Sequence, residues 1–262
     1  MKILFIGMGN MGQAILKGML KSGYNKEDIS FIDNNSVTVE KVKDEFGIKD
    51  MSDLSNSTWD IVILAIKPQI FFNDPDIEFI FNKNNIENSL IVSIMAGVTI
   101  ESISKKYNTK NVLRIMPNIA AICSESMSVI TNNIKEHKML KEVDKIFKSI
   151  GAVEYLDESY FDAVTALSGS GPAFVYTFLE GLIAGGVHSG LSYEISKKLA
   201  IQTIIGSIKL LESEDKIENM RHKVTSPAGT TIEGMRTLET SGFRGIIMEA
   251  VINAMEKAKS IK

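Results

Sequence analysis

The sequence predicts an α/β protein, a doubly wound sheet followed by an all-α domain. Three observations carry this. The N-terminal part alternates short apolar runs with amphipathic stretches of helical period, the pattern of parallel strands covered by helices on both faces. A glycine-rich turn, Gly7-Met8-Gly9-Asn10-Met11-Gly12, separates the first run from the first helical stretch. After Tyr155 strand-like runs cease and helical texture continues to the end.

Lys2–Ile6 is the first strand, and Asn10–Ser22 the first helix, with Met11, Ala14, Ile15, Gly18 and Met19 on one stripe and Gly23 to stop it. Ile29–Asp33 is the second strand and Val37–Phe46 the second helix, closed by Gly47. Ile61–Ile66 is continuously apolar and short, which predicts a strand buried on both faces. Leu90–Met95 and Val112–Met116 repeat the pattern around a helix over Thr99–Tyr107. Met127–Thr131 and Ala152–Tyr155 are later strands, separated by a helix over Lys135–Ser149. This places a dinucleotide-binding domain over 1–157 and a helical domain over 158–262. The latter contains helices at Ala173–Val187, Tyr193–Leu211, Thr230–Glu239 and Phe243–Lys259. Leu199, Ile201, Ile204, Ile205 and Ile208 crowd one of them, and Gly181, Ala184, Gly185 and Gly186 stud another. So few helices give thin cover to so much apolar surface, and small residues let a neighbouring backbone approach. Self-association through these helices, as a homodimer, is therefore expected.

Composition bounds the function. A chain of 262 residues, 44% apolar and 23% charged, is an ordinary globular protein long enough for two domains. A net charge of −3 argues against a basic face for nucleic acid. The single Cys123 can form neither an intrachain disulfide nor a thiolate zinc cluster. No apolar run approaches the ~18 residues of a membrane span, so no membrane partner is expected. With the first strand starting at Lys2, no targeting peptide is expected and the protein is placed in the cytoplasm.

A bare GxGxxG is weak evidence, but this one follows a strand, opens a helix and has an acid, Asp33, at the end of the next strand. Gly7 permits the tight turn, Gly9 lets a pyrophosphate approach the backbone, and Gly12 allows close helix–strand packing. The first domain thus reads as Rossmann-like. Asp33 suits the ribose hydroxyls of NADH and would repel the 2′-phosphate of NADPH. Asn34, Asn35 and Ser36 bring no positive charge to offset it, a modest lean to NADH, while Asn35 or Ser36 can also cap the next helix. Three strands end in Ala65-Ile66-Lys67-Pro68-Gln69, Ser93-Ile94-Met95-Ala96-Gly97 and Arg114-Ile115-Met116-Pro117-Asn118, at the sheet edge where ligands bind. Two readings of these ends stay open: they line the nicotinamide side, or Pro68 and Pro117 only stop strands and Lys67 is a solvated charge.

The run Val224–Ile232 packs a tight turn, a glycine and adjacent hydroxyls before a helix, a ready site for a small carboxylate. His137, His188 and His222 form no constellation, and no spacing suggests a metal. The chemistry must then run without a metal or a strong acid–base pair. Reducing a carbonyl calls for a proton donor to the developing alkoxide. A protonated imine brings its own proton, and a hydroxyl that orients the nitrogen is enough.

Ala166-Leu167-Ser168-Gly169-Ser170-Gly171-Pro172-Ala173, Val224–Ile232 and Leu238-Glu239 resemble the pyrroline-5-carboxylate reductase family. The fingerprint, Ala65–Gln69, Ala96-Gly97-Val98-Thr99 and Met116-Pro117-Asn118 match it too, so the resemblance spans essentially the whole chain in order. It implies hydride transfer from NAD(P)H to C5 of 1-pyrroline-5-carboxylate, the last step of proline biosynthesis. It also implies a Rossmann domain followed by a helical domain that interlocks with a second subunit. By the same resemblance Thr231 hydrogen-bonds the ring nitrogen. Gly229, Thr230 and Thr231 offer backbone N–H groups to the substrate carboxylate, with Ser226 assisting, and Glu158 is an acid near the ring nitrogen. Ile6, Gly7, Met8, Gly9, Asn10, Met11, Ala65, Ile66, Lys67 and Pro68 fall at cofactor positions, joined by Asp33, Asn34 and Ala96. Two departures stand out. Many relatives have Pro-Gly-Gly where this chain has Pro227-Ala228-Gly229, and many NADPH users have Asn-Arg where it has Asn34-Asn35. A reductase of similar build for a 3-hydroxy acid or another imine is the alternative; Lys197 and Lys198, beside Tyr193 and Glu194, read as a solvated face and not as its catalytic lysine. A cofactor-sensing regulator without turnover is the other, and intact Gly229 and Thr231 weigh against it.

Overall fold

Strands β1 (Ile3–Ile6) and β2 (Ile29–Ile32) are buried at every position, whereas β3 (Lys49–Asp50) is a short polar edge strand. Strands β4 (Ile61–Leu64) and β5 (Leu90–Ser93) are again wholly buried. Unbroken apolar composition is what a strand covered on both faces requires. The computed structural model describes residues 1–51, 58–73, 86, 88–211 and 216–260. Successive residues of a strand face opposite sides, so Ile3 and Phe5 join one core with Ile15, Met19 and Phe147. Leu4 and Ile6 join the other, with Phe71, Ile91 and Ile103.

With β6 (Val112–Met116), β7 (Ser126–Thr131) and β8 (Gly151–Leu156), the sheet runs β3-β2-β1-β4-β5-β6-β7-β8. β1 pairs in parallel with both β2 and β4, so the winding reverses there and opens a crevice at the carboxyl ends of the strands. One pairing departs from the parallel expectation: β6 and β7 are antiparallel. Residues 117–125 between them hold only a 3-10 turn at Ile119–Cys123, too short a link for a parallel crossover.

Helix α1 (Asn10–Lys21) starts at Gly9. Asn35 caps α2 (Ser36–Phe46), accepting from the N–H groups of Val37 and Thr38, and Gly47 ends it at φ 65°. Helix α3 (Pro68–Asn73) begins on its proline, and β4 already ends at Leu64, so Pro68 starts a helix and does not itself stop the strand. Thr99 caps α4 (Ile100–Tyr107). Helix α5 (Leu140–Lys148) is shorter than the periodicity suggested. In the short helix α6 (Phe161–Val164), Phe161 and Val164 pack on Val129 of β7. One compact unit therefore comprises Met1–Ser170 with Asn253–Lys262, and the other Gly171–Ile252. The packing boundary falls after the change of sequence pattern because residues 158–170 stay with the sheet.

The second unit is built from α7 (Gly171–His188), α8 (Tyr193–Leu211), α9 (Ile217–Lys223), α10 (Thr230–Thr240) and most of α11 (Phe243–Lys259). Gly186 lets α7 approach α8, since a Cβ there would meet Ser196. Burial is sparse: Ile183 in α7, Ser196 and Ala200 in α8, and no residue of α10. Tyr176, Leu199, Ile208, Ile246 and Met248 are exposed. Among the described residues no helix is long and apolar enough to cross a membrane.

Candidate active site

The glycine-rich turn is held from several sides. Gly7 lies at φ 93° and its N–H donates to the Ile32 carbonyl at 2.8 Å. A Cβ on Gly7 would sit 2.7 Å from the Ala65 oxygen, and one on Gly12 2.9 Å from the Gly7 oxygen, so both glycines are demanded by backbone. Gly9 has open space within 4 Å and caps α1 without any side chain. The first-turn N–H groups of α1 are therefore accessible to an anion, with the positive end of the helix dipole behind them. Exposed Asn10 and half-buried Met11 follow, whereas Met8 is fully buried and Ile6 2% exposed. These features fit a dinucleotide pyrophosphate.

Asp33 is engaged with this loop. Its Oδ2 accepts the Met8 N–H at 2.7 Å and its Oδ1 the Asn35 N–H at 2.9 Å. The Met8 carbonyl in turn accepts from Gln13 Nε2 at 2.7 Å. A carboxylate keeps further lone pairs for a ribose hydroxyl, so the latch and the ribose role are compatible. Asn34 is exposed beside it. Ala65 continues the β1–β4 ladder, its N–H donating to Ile6 at 2.8 Å. Ile66 lies close to Gly7, Lys67 is exposed, and Ala96 sits half-buried past β5 before Gly97 at φ 73°. Two further motifs meet at the end of β6, where Asn118 Nδ2 donates to Ser168 Oγ at 3.2 Å and a Cβ on Gly169 would touch Met116.

Glu158 is in the same unit, in a 3-10 turn capped by Asp157. Its Oε1 accepts the Ile100 N–H at 2.8 Å and Arg114 Nη1 at 3.2 Å. The partnership with Arg114 was missed from sequence, although a lone cation in the apolar run Val-Leu-Arg-Ile-Met signals a buried charge in need of a counter-ion.

Ser226, Gly229, Thr230 and Thr231 lie in the second unit. Residue Ala228 stands at φ 53°, the left-handed region, and the Gly229 N–H donates to the Ser226 carbonyl at 3.2 Å to close the turn. A Cβ on Gly229 would collide with Ser226 Oγ. Gly229 caps α10 without a side-chain bond, leaving Thr230 and Thr231 as donors of the helix start. Glu239, near the other end of α10, is clasped by Arg244 at 2.8 Å to both oxygens and by Arg221 at 3.4 Å. Arg244 first, then Arg221, holds its carboxyl below the usual range.

Residues 2–97 match the family model described as NADP oxidoreductase coenzyme F420-dependent, and residues 158–261 that described as pyrroline-5-carboxylate reductase dimerisation. The pyrroline-5-carboxylate reductase of Aquifex aeolicus is 38% identical across 100% of this chain and 97% of that protein. The chain belongs to the pyrroline-5-carboxylate reductase family. Another relative, from Methanosarcina acetivorans, is also 38% identical, over 99% of this chain and 97% of its own. The crystal structure of the Plasmodium falciparum pyrroline carboxylate reductase with NADP bound superposes with a TM-score of 0.84 at 31% identity, covering 99% of this chain and 97% of that one. The loop at Gly7–Gly12 belongs to one compact unit and the start of α10 to the other.

Proposed function

We propose that this chain reduces 1-pyrroline-5-carboxylate to L-proline with NADH or NADPH. The start of α10, two hydroxyls behind a glycine cap that makes no side-chain bond, in a chain that matches a pyrroline-5-carboxylate reductase over 97% of that protein's length, carries the reading. The bound nicotinamide cofactor supplies the hydride that C5 receives. Ile6–Met11, Ala65–Pro68, Ala96, Asp33 and Asn34 hold it. The N–H groups of Thr230 and Thr231 bind the substrate carboxylate, favoured by the helix dipole, and Ser226 with the Gly229 turn shapes their approach. The Thr231 hydroxyl orients the ring nitrogen. That nitrogen arrives protonated, takes the C=N π electrons as C5 gains hydride, and keeps its proton, so no side-chain acid is required. Asp33 inclines the site to NADH.

The exposed apolar residues of α7, α8 and α11 support a homodimer joined through these helices. A lone cysteine suits the reducing cytoplasm. Purified protein given pyrroline-5-carboxylate should oxidise reduced nicotinamide and yield an equal amount of proline; absence of turnover with both cofactors would overturn the proposal. Sedimentation should give a dimer, and a stable 28.9 kDa species at micromolar protein would contradict the assembly.

A further inference from the structure

We propose that Glu158 and Arg114 are a positioning pair for the cofactor, fixing the turn from Ala96 to Ile100, and that Glu158 does not act on the substrate nitrogen. The proposal rests on the reductase reading above. Arg114 projects from β6 with a side chain only 4% exposed. Its guanidinium carries a permanent charge. It lies 5.0 Å from the centre of the Phe161 ring, its Nη1 reaches Glu158, and its Nη2 is buried without a partner among the described residues. Glu158 is thus its counter-charge. The same Glu158 oxygen accepts the Ile100 N–H, the first of α4, where negative charge is favoured. Thr99 Oγ1 accepts the Ser102 N–H in the same turn.

Glu158 therefore ties together three segments distant in sequence: β6, the start of α4 and the turn after β8. Between β5 and that helix start lie Ile94-Met95-Ala96-Gly97-Val98-Thr99, including the proposed cofactor contact Ala96. Fixing Ile100 at one end and Ser93, paired with Arg114, at the other leaves Ala96 little freedom. Glu158 opens onto a cavity of about 680 Å³ lined by Gly97, Thr99, Arg114, Asn133 and Asp162 among others. None of Ile6–Met11 or Ala65–Pro68 lines it. Both hydrogen bonds of Glu158 go to a buried cation and a helix N–H, partners that fix the start of α4 against β6.

Fluorescence titration of NADH and NADPH, with melting curves and steady-state kinetics, tests this on the full chain. Glu158→Ala and Arg114→Met should each weaken cofactor binding about tenfold, and the double variant no further, because the pair acts as a unit. Glu158→Gln keeps an acceptor for Ile100 and should weaken binding only about threefold, with the KM for pyrroline-5-carboxylate and the pH profile of kcat unchanged. Ile103→Val, buried in α4, should lower Tm while leaving cofactor affinity intact, which separates positioning from general loosening. Should the alanine or methionine variant fail to fold, Glu158→Gln carries the test alone. A fall in kcat or a moved pH profile in Glu158→Gln at unchanged cofactor affinity would place Glu158 on the substrate and overturn the proposal. So would unchanged affinity together with unchanged kinetics, or an affinity loss that Ile103→Val reproduces. An unmodified protein that bound neither cofactor would instead refute the reductase reading itself.

Discussion

Replacing Gly7 and Gly9 separately by alanine should damage two different things. A methyl on Gly7 meets the Ala65 carbonyl carbon at 2.9 Å and its oxygen at 2.7 Å, at a φ of 93°. Ala65 cannot retreat without breaking its 2.8 Å bond to Ile6, which extends the β1–β4 ladder. Left-handed backbone costs an L-residue ~1–2 kcal/mol, and forced packing ~1–3 kcal/mol. Reduced freedom of the unfolded chain returns ~0.4–1 kcal/mol. The net loss is about 1–4.5 kcal/mol out of a typical ~5–15 kcal/mol. Gly9 meets nothing within 4 Å and has an ordinary φ of −66°. Alanine's poorer capping, about 1 kcal/mol, is nearly cancelled by the same chain-entropy gain. Its methyl instead stands in the open space proposed for the pyrophosphate, so cofactor affinity should drop about tenfold or more. Urea unfolding, read at constant m, and cofactor titration measure the two effects. An unshifted urea midpoint for Gly7→Ala, or intact cofactor affinity for Gly9→Ala, would refute this account of the loop.

Thr231→Ala removes the hydroxyl proposed to orient the ring nitrogen but keeps the backbone donor, so carboxylate binding should largely survive while kcat falls roughly tenfold to over a hundredfold. An unchanged rate would assign the orientation to another group. Asp33→Ser removes a negative charge worth about 1–2 kcal/mol against a 2′-phosphate in a partly screened site, so the NADPH-to-NADH ratio of kcat/KM should rise about tenfold. An unmodified enzyme already strongly selective for NADPH would contradict that reading of Asp33. Ala228→Gly relieves a left-handed alanine at φ 53°, a cost of ~1–2 kcal/mol set against glycine's ~0.5–1 kcal/mol of extra chain entropy. Stability should rise by about 0.5–1 kcal/mol in thermal melts with little change in kcat. A clear loss would mean that the methyl makes contacts worth more than the strain.

The parts of the fold legible in sequence were those set by local pattern. Ile61–Leu64 has no polar residue because both faces are covered, and Gly7 marks a positive φ that the turn requires. Strand direction was less legible: the antiparallel β6–β7 pair follows from the length of the link, not from the composition of either strand. Helix α9 escaped notice because Ile-Glu-Asn-Met-Arg-His-Lys shows no apolar stripe and buries no residue. Likewise Lys49-Asp50 has nothing apolar to mark it as a strand. At the candidate site, motifs contiguous in sequence were visible, such as Val224–Ile232. The left-handed Ala228 was not, since alanine carries no signal for that conformation. The Arg114–Glu158 contact spans 44 residues, and only the fold puts its members together.

The sparse burial in the second unit has a consequence beyond geometry. A helix set that hides Ile183 and Ala200 but leaves Leu199, Ile208, Ile246 and Met248 in water gains little from folding by itself. With a second copy as the proposed cover, ordering of this unit becomes a property of the population of chains, because stability rises with protomer concentration. A weakened variant such as Leu199→Ala would then behave as a dosage-sensitive allele, failing when the chain is scarce and recovering when more of it is made.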